Sequence, residues 1–403
     1  MRLSNNLLEA VRGLSLMDKL LPLLIILSMI LGILLSVYVP STRHAFEGTE
    51  IVGVSLPLAF GLIVMIIPPL CKVEWENFFK FFRSDKYLKP ILWSLVINWI
   101  ICPFLMFGLA WLTLFDQEEY RRGIIMIGLA RCIAMVLIWN EISDGDSTLC
   151  AVIVLVNSLL QIVLYAPYQI FFCYTITGSS PNDIDANVSY ELVARSVAFF
   201  LGIPLLIGVV VRFLGKFTMG AKYETKVLPI VGPWALIGLL YTIIVIFIEK
   251  GNDFIKDIGS ALRCFIPLVI YFLITWFGTF YFMRWKLGRK TVTSETTELL
   301  CGCELQKEKN VNKDKWEAYC SAKYSEVITQ TFTASSNNFE LSLAISISLY
   351  GSGSKESIAA TFGPLLEVPI LLGLCFVARY LKFKYLWIDV DMEEDIDLGE
   401  ETN

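Results

Sequence analysis

Two stretches decide how this chain is read: Gly128-Leu-Ala-Arg-Cys-Ile-Ala-Met135 and Ala334-Ser-Ser-Asn-Asn-Phe-Glu-Leu341. Each sets polar or ionisable residues inside a segment otherwise apolar enough to cross a bilayer. An arginine or carboxylate at the centre of a membrane helix costs about 2.5–3.5 kcal/mol on insertion scales, so such residues face a partner or a watery cavity. Function is expected where that cost is tolerated.

The rest of the chain leaves little choice of solvent. Of its 403 residues, 56% are hydrophobic and 18% charged, and the mean hydropathy is +0.63. That is too little charge to cover a soluble domain of this size. Apolar runs near 20 residues, the length that crosses roughly 30 Å of hydrocarbon, lie at 20–39, 51–70, 89–114, 123–140, 147–174, 192–214, 227–248, 262–285, 327–350 and 357–381. The first is too long for a signal core and lacks a small-residue cleavage site, so it reads as a retained helix. The ten cysteines are scattered, unlike a secreted disulfide scaffold, which predicts reduced thiols.

Lysine and arginine in the short loops orient the spans. The loop at 71–88 carries Lys72, Lys80, Arg83 and Lys86; that at 212–226 carries Arg212, Lys216, Lys222 and Lys226; and that at 284–326 carries nine. The loop at 175–191 has none and that at 351–356 has one. Both termini are therefore expected in the cytosol. The sequon Asn187-Val188-Ser189 then falls outside.

Ten spans divide after Ser180-Pro-Asn-Asp-Ile-Asp-Ala186 into two sets of five. An odd number of spans inverts the second set, and inverted repeats with interrupted helices at matching positions mark transporters. The expected organisation is a cytosolic N-terminus (1–19), a first repeat (20–174), an external loop (175–191), a second repeat (192–381) containing a cytosolic loop (286–326), and an acidic cytosolic tail (382–403). The two polar stretches fall in helices four and nine, the fourth members of each set. In helix nine, Ser335-Ser336-Asn337-Asn338 reads as a break followed by a cap, because Ser and Asn side chains satisfy free backbone N–H groups at helix starts. Glu340 then sits in the first turn beyond, at a positive dipole end. A break in helix four rests on symmetry alone, since that segment has no proline.

Counting about 1.5 Å per residue from the nearest span end puts Asn98, Cys132, Asn157, Glu340 and Glu367 at one depth, roughly 13–15 Å in. Five polar or reactive groups at one level suggest a site. Arg131 is always charged and needs a partner; Glu340 and Glu367 are both available, and a structural ion pair between the two sets is the plainer reading. Cys132 lies beside this cation, which favours the reactive thiolate, and soft thiolates select thiophilic ions. Glu340 and Glu367 are candidate proton carriers; Glu367 lies within Gly363-Pro-Leu-Leu-Glu-Val-Pro369, whose prolines free carbonyls. Asn98 and Asn157 either line the site or join helices by hydrogen bonds. Cys301, Cys303 and Cys320 in the long internal loop form a candidate cytosolic thiol site, although a lone CxC is a weak signal. No HExxH, Walker loop or GxSxG occurs, and His44 is the one histidine; an enzyme is not expected. Without an ATP site, transport must draw on an ion gradient.

At Met126-Ile-Gly-Leu-Ala-Arg-Cys-Ile-Ala-Met-Val-Leu-Ile-Trp-Asn140, Ser336-Asn-Asn-Phe-Glu-Leu-Ser-Leu-Ala344 and Gly363–Pro369, the chain resembles the single-component arsenite efflux permeases of the bile acid/arsenite/riboflavin transporter superfamily. Pro68-Pro-Leu-Cys-Lys72 and Ser158-Leu-Leu-Gln161 resemble the fungal members. The resemblance implies an all-α membrane protein of ten transmembrane helices in two inverted five-helix repeats, with helices four and nine discontinuous and crossing at the substrate site. It implies proton-coupled export of arsenite, and of antimonite, at the plasma membrane, conferring arsenical resistance. The essential cysteine falls on Cys132, as the thiol contact to As(III), and the essential glutamate on Glu340. Arg131, Asn98, Trp139, Asn157, Asn338 and Glu367 are implied in support. The expected partners are arsenite or antimonite, protons and the lipid bilayer, with no nucleic acid and no cofactor. In the expected mechanism, Asn98, Asn157 and Asn338 contact the hydroxyls of As(OH)3 beside Cys132, while Arg131 sets the charge of Glu340. A sodium-coupled organic-anion carrier and a non-transporting membrane receptor are the alternatives.

Overall fold

The computed structural model describes residues 16–39, 42, 50–73, 75, 85–133, 135–177, 190–220, 222–256, 258–291, 322–351, 354–385 and 387. The Asn187 sequon and the thiols of Cys301, Cys303 and Cys320 lie outside them.

The described chain is almost wholly helical. In order, α1 spans Leu16–Tyr38 and α2 Leu56–Lys72. Helix α3 joins Asp85–Val96 to Cys102–Thr113 through a π turn at Ile97–Ile101. Next come α4 (Glu118–Leu129), α5 (Met135–Ile142) and α6 (Ser147–Ile170, extended by a π turn to Thr175). Helix α7 runs from Tyr190 to Met219, α8 covers Pro233–Lys256 and α9 Phe265–Thr291. The last three are α10 (Tyr324–Ser335), α11 (Phe339–Tyr350) and α12 (Lys355–Lys384). Six of the described helical segments are long and apolar enough to cross a membrane, and α1, α2 and α11 contribute shorter apolar stretches.

Proline explains how α3 bends. Pro103 lacks an N–H, and its ring clashes with the carbonyl four residues back, which is that of Trp99. The helix widens into the π turn just before Pro103, and the Trp99 carbonyl instead accepts the Tyr168 hydroxyl of α6 at 3.0 Å. The π turn at Ala198–Gly202 likewise immediately precedes Ile203-Pro204.

Two groups of helices pack face to face. In one, α8 lies against α1 and α2, and α7 against α2; in the other, α4 packs on α12, α9 on α10 and α3, and α11 on α12. A two-residue hairpin ties the groups: Glu50–Ile51 pairs antiparallel with Val54–Ser55, and the Val52 carbonyl accepts the Ser348 hydroxyl of α11 at 2.6 Å. Gly53 supplies the positive φ, +73°, that the turn requires. Apolar stripes stay uncovered on the outer faces, including Leu23, Leu27, Leu31 and Leu34 on α1 and Leu206, Val210, Phe213 and Phe217 on α7. Hydrocarbon is the solvent that covers such stripes at no cost.

Ion pairs fasten the ends of the second group. Arg122 of α4 is buried and meets Glu356 of α12 at 2.9 Å, beside the Tyr174–Tyr350 hydroxyl pair at 2.7 Å. At the opposite end, Arg379 of α12 donates through Nε to the Ile142 carbonyl at 2.6 Å, capping α5, and Arg379 and Lys382 both reach Asp144. In the loop after α3, the Arg263 guanidinium donates to both Asp116 oxygens at 2.7 and 2.8 Å and holds that carboxyl below its ordinary range. This attachment is complete above the usual carboxylate pKa and is lost as pH falls through the lowered one.

Close packing makes Gly123 sensitive. A Cβ on Gly123 would lie 2.5 Å from the Glu356 backbone carbonyl, whereas one on Gly373 meets nothing within 4 Å. Gly123→Ala is expected to separate α4 from α12 and cost about 1–3 kcal/mol, while Gly373→Ala gains about 0.5–1 kcal/mol of helix stability. Melting temperatures of the two purified variants in detergent check this, and equal values would contradict it.

Candidate functional site

The helical path breaks twice, and the two breaks meet. Between α4 and α5 the backbone extends at Ala130, where ψ is 123°, and between α10 and α11 at Ser336, where ψ is 140°. Arg131 and Asn337 form an antiparallel bridge, and the Asn338 N–H donates to the Ala130 carbonyl at 3.1 Å. Backbone groups released by each break are thus satisfied by the other, which apolar surroundings demand. Gln161 of α6 completes the contact: its side-chain oxygen accepts the Arg131 N–H at 3.0 Å.

The antiparallel crossing sorts four helix ends. Helices α5 and α11 begin there, each with a side chain at its first turn. Cys132 Sγ accepts the Val136 N–H at 3.3 Å, and Asn338 Oδ1 accepts the Leu341 N–H at 3.1 Å. These are corresponding positions, one residue beyond the bridged pair. Thiol and carboxylate are the groups that a helix N-terminus favours in ionised form, and Glu340 occupies the first turn of α11.

Around Cys132 the acidic residues gather. Its thiol adjoins the Ser336 hydroxyl and lies within electrostatic reach of Glu367 and Glu340. Ser336 donates a short hydrogen bond to Glu367 Oε1. Glu367 is 1% exposed, and the Trp139 indole lies beside it with an Nε1 that has no hydrogen-bond partner. Glu340 instead lines a recess between the two helix groups, together with Met65, Thr242, Phe247, Thr361 and Pro364. Of the two carboxyl groups, it has the open side.

Several expected contacts are not made. Arg131 forms no ion pair with Glu340 or Glu367: its Nη2 donates a short hydrogen bond to the Gly128 carbonyl and another to the Tyr271 hydroxyl at 3.2 Å. The reason is directional, because the backbone alternates sides at the bridge and sends Arg131 away from Cys132. Asn157 Oδ1 is occupied by Trp99 Nε1 at 3.0 Å, and Asn98 Nδ2 donates to Ser94. Asn338 Oδ1 serves as the α11 cap. Cys132, Glu340, Glu367 and Trp139 come together, whereas Asn157 joins α6 to α3 and Asn98 bonds back to its own helix. Ser336, Gln161 and Tyr271 escaped the sequence reading, although Gln161 lies four residues from Asn157 on one face of α6.

Paired broken helices that cross inside a bundle with lipid-facing apolar stripes define a multi-pass α-helical membrane protein. A model of the Sodium Bile acid symporter family matches residues 59–257. Over 370 residues, 91% of this chain and 90% of the relative, the sequence is 39% identical to the arsenical-resistance protein Acr3 of Corynebacterium glutamicum. It is 24% identical over 388 residues, 93% of this chain and 96% of the relative, to the protein of the same name from Alkaliphilus metalliredigens. Against the uncharacterized transporter slr0944 of Synechocystis sp. it is 27% identical over 413 residues, 98% of this chain and 95% of the relative. The chain belongs to the family of the arsenical-resistance protein Acr3. Membership makes it a membrane transporter and not an enzyme.

Gln161 gives the crossing a direct test. Gln161→Leu leaves the buried Arg131 N–H unpaired and is expected to cost about 1–3 kcal/mol, whereas Gln161→Glu keeps an acceptor. Thermal melting of both variants reads the difference, and a Leu variant as stable as the parent would contradict the assignment.

Proposed function

We propose that the chain exports trivalent arsenic from the cytosol across the plasma membrane in exchange for protons, with antimonite as a second substrate, and so confers arsenical resistance. The observation that carries this reading is the Cys132 sulfur at the start of α5, within reach of Glu340 and Glu367, in a chain 39% identical to a named arsenical-resistance protein. The reading takes the fold as ten spans in two inverted sets of five with cytosolic termini. The six long helices, α1, α2 and the two broken pairs support that reading.

Arsenite near neutral pH is mainly the uncharged trihydroxide, so fixed charge does not select it. A soft sulfur does, and beside the nearby Glu367 the Trp139 indole offers an unpartnered donor. In our reading As(OH)3 approaches along the recess between the helix groups and meets Cys132, while Glu340, on the open side of the recess, takes up or releases the coupling proton. Glu367, held by Ser336, links the break in α10–α11 to the thiol. Exchange requires that substrate and proton compete for one region and favour different states of it. The nearness of Cys132 to both carboxyl groups supports such competition.

Flux through proteoliposomes with an imposed pH gradient tests the proposal. Cys132→Ser is expected to weaken arsenite transport at least about tenfold, equivalent to about 1.4 kcal/mol. Glu340→Gln is expected to bind arsenite but to lose the response to the gradient. Uphill, pH-driven flux in the Glu340→Gln variant would remove Glu340 from the coupling role, and full transport by Cys132→Ser would make the thiol dispensable.

A further inference from the structure

The family model that matches residues 59–257 is named for sodium, so the fit of the crossing to a sodium ion matters. Carboxyl ends of half-helices and unwound carbonyls are what hold a coupling cation in transporters with broken helices. Here α4 ends at Leu129 and α10 at Ser335, and each helix end carries a partial negative charge of roughly half a unit. Arg131 engages the first directly and the second only through neighbouring side chains. Its Nη2 donates to the Gly128 carbonyl in the last turn of α4. It reaches the other segment through Tyr271, whose hydroxyl donates to Asn337 Oδ1 at 3.3 Å. The adjoining Cys102 thiol donates to the Ala334 carbonyl in the last turn of α10 at 3.4 Å.

The guanidinium is 0% exposed and pairs with no carboxylate among the described residues. Two helix ends of about half a charge each sum to about the one negative charge that a single cation balances. Meanwhile Arg131 Nε, Arg131 Nη1 and Asn337 Nδ2 are buried donors without partners. Donors repel sodium, and the Gly128 and Asn337 oxygens that could ligate it are already taken. The residues present do not fit a sodium ion.

We infer that Arg131 is the resident cation of the crossing: it stands where a sodium ion would balance two helix carboxyl ends, so transport by this chain is independent of sodium. Removing the guanidinium would leave a site for a monovalent cation. The inference rests on the crossing alone and not on the substrate proposed above.

Melting of the purified full-length protein, with choline chloride exchanged for sodium chloride at equal ionic strength, tests it without any substrate, because a ligand that binds only the folded state raises its stability. The parent and Arg131→Lys are expected to melt at the same temperature in both salts. Arg131→Ala is expected to melt lower in choline and to recover with sodium or with ethylguanidinium. A sodium-dependent shift in the parent or in Arg131→Lys would overturn the inference, and so would a folded Arg131→Ala protein indifferent to both cations. If Arg131→Ala does not fold in choline, its recovery when extracted in ethylguanidinium is the expected result, and failure there overturns the inference. Arsenite flux in parent vesicles, measured with and without sodium, should be equal; a flux that requires sodium would overturn it while leaving the arsenic reading intact.

Discussion

The backbone bridge between Arg131 and Asn337 is the contact on which the candidate site depends. Each broken segment exposes N–H and C=O groups in surroundings that offer no water, and neither could persist alone. Their antiparallel meeting satisfies both and fixes the directions of four helix ends. Two positive ends fall on one side with Cys132 and Glu340, and two negative ends fall near Arg131. Charge is thereby separated across the bridge without an ion pair between Arg131 and either glutamate.

That separation reframes the arginine. A buried guanidinium with no carboxylate would be prohibitively costly in isolation, yet helix carboxyl ends, a tyrosine hydroxyl and a carbonyl surround it. The acidic residues are consequently released from neutralising it. Glu367 is held by Ser336, and Glu340 faces the recess between the helix groups.

Much of this was legible in the chain. Ser335-Ser336-Asn337-Asn338 announced a break and a cap because those side chains compete with helical hydrogen bonding, and the helix ends at Ser335 and restarts at Phe339. Cys132, Glu340, Glu367 and Trp139 were singled out and do gather. Depth counting did not decide the partners of Asn98 and Asn157, since equal depth says nothing about which way a side chain turns; Asn157 binds Trp99 of α3, and Asn98 bonds back to Ser94 of its own helix. Gln161 and Tyr271 gave little signal, because a buried Gln or Tyr in an apolar helix looks the same whether it supports a site or merely packs.

The sequence by itself determined the solvent, the helical content and the places where the chain cannot remain helical, because apolar length and local side-chain competition are one-dimensional properties. Only the tertiary structure decided which partner each expensive residue receives. The side of the bridge on which Arg131 and Cys132 emerge follows from strand alternation, and the identity of the neighbours waiting there follows from helices more than a hundred residues away.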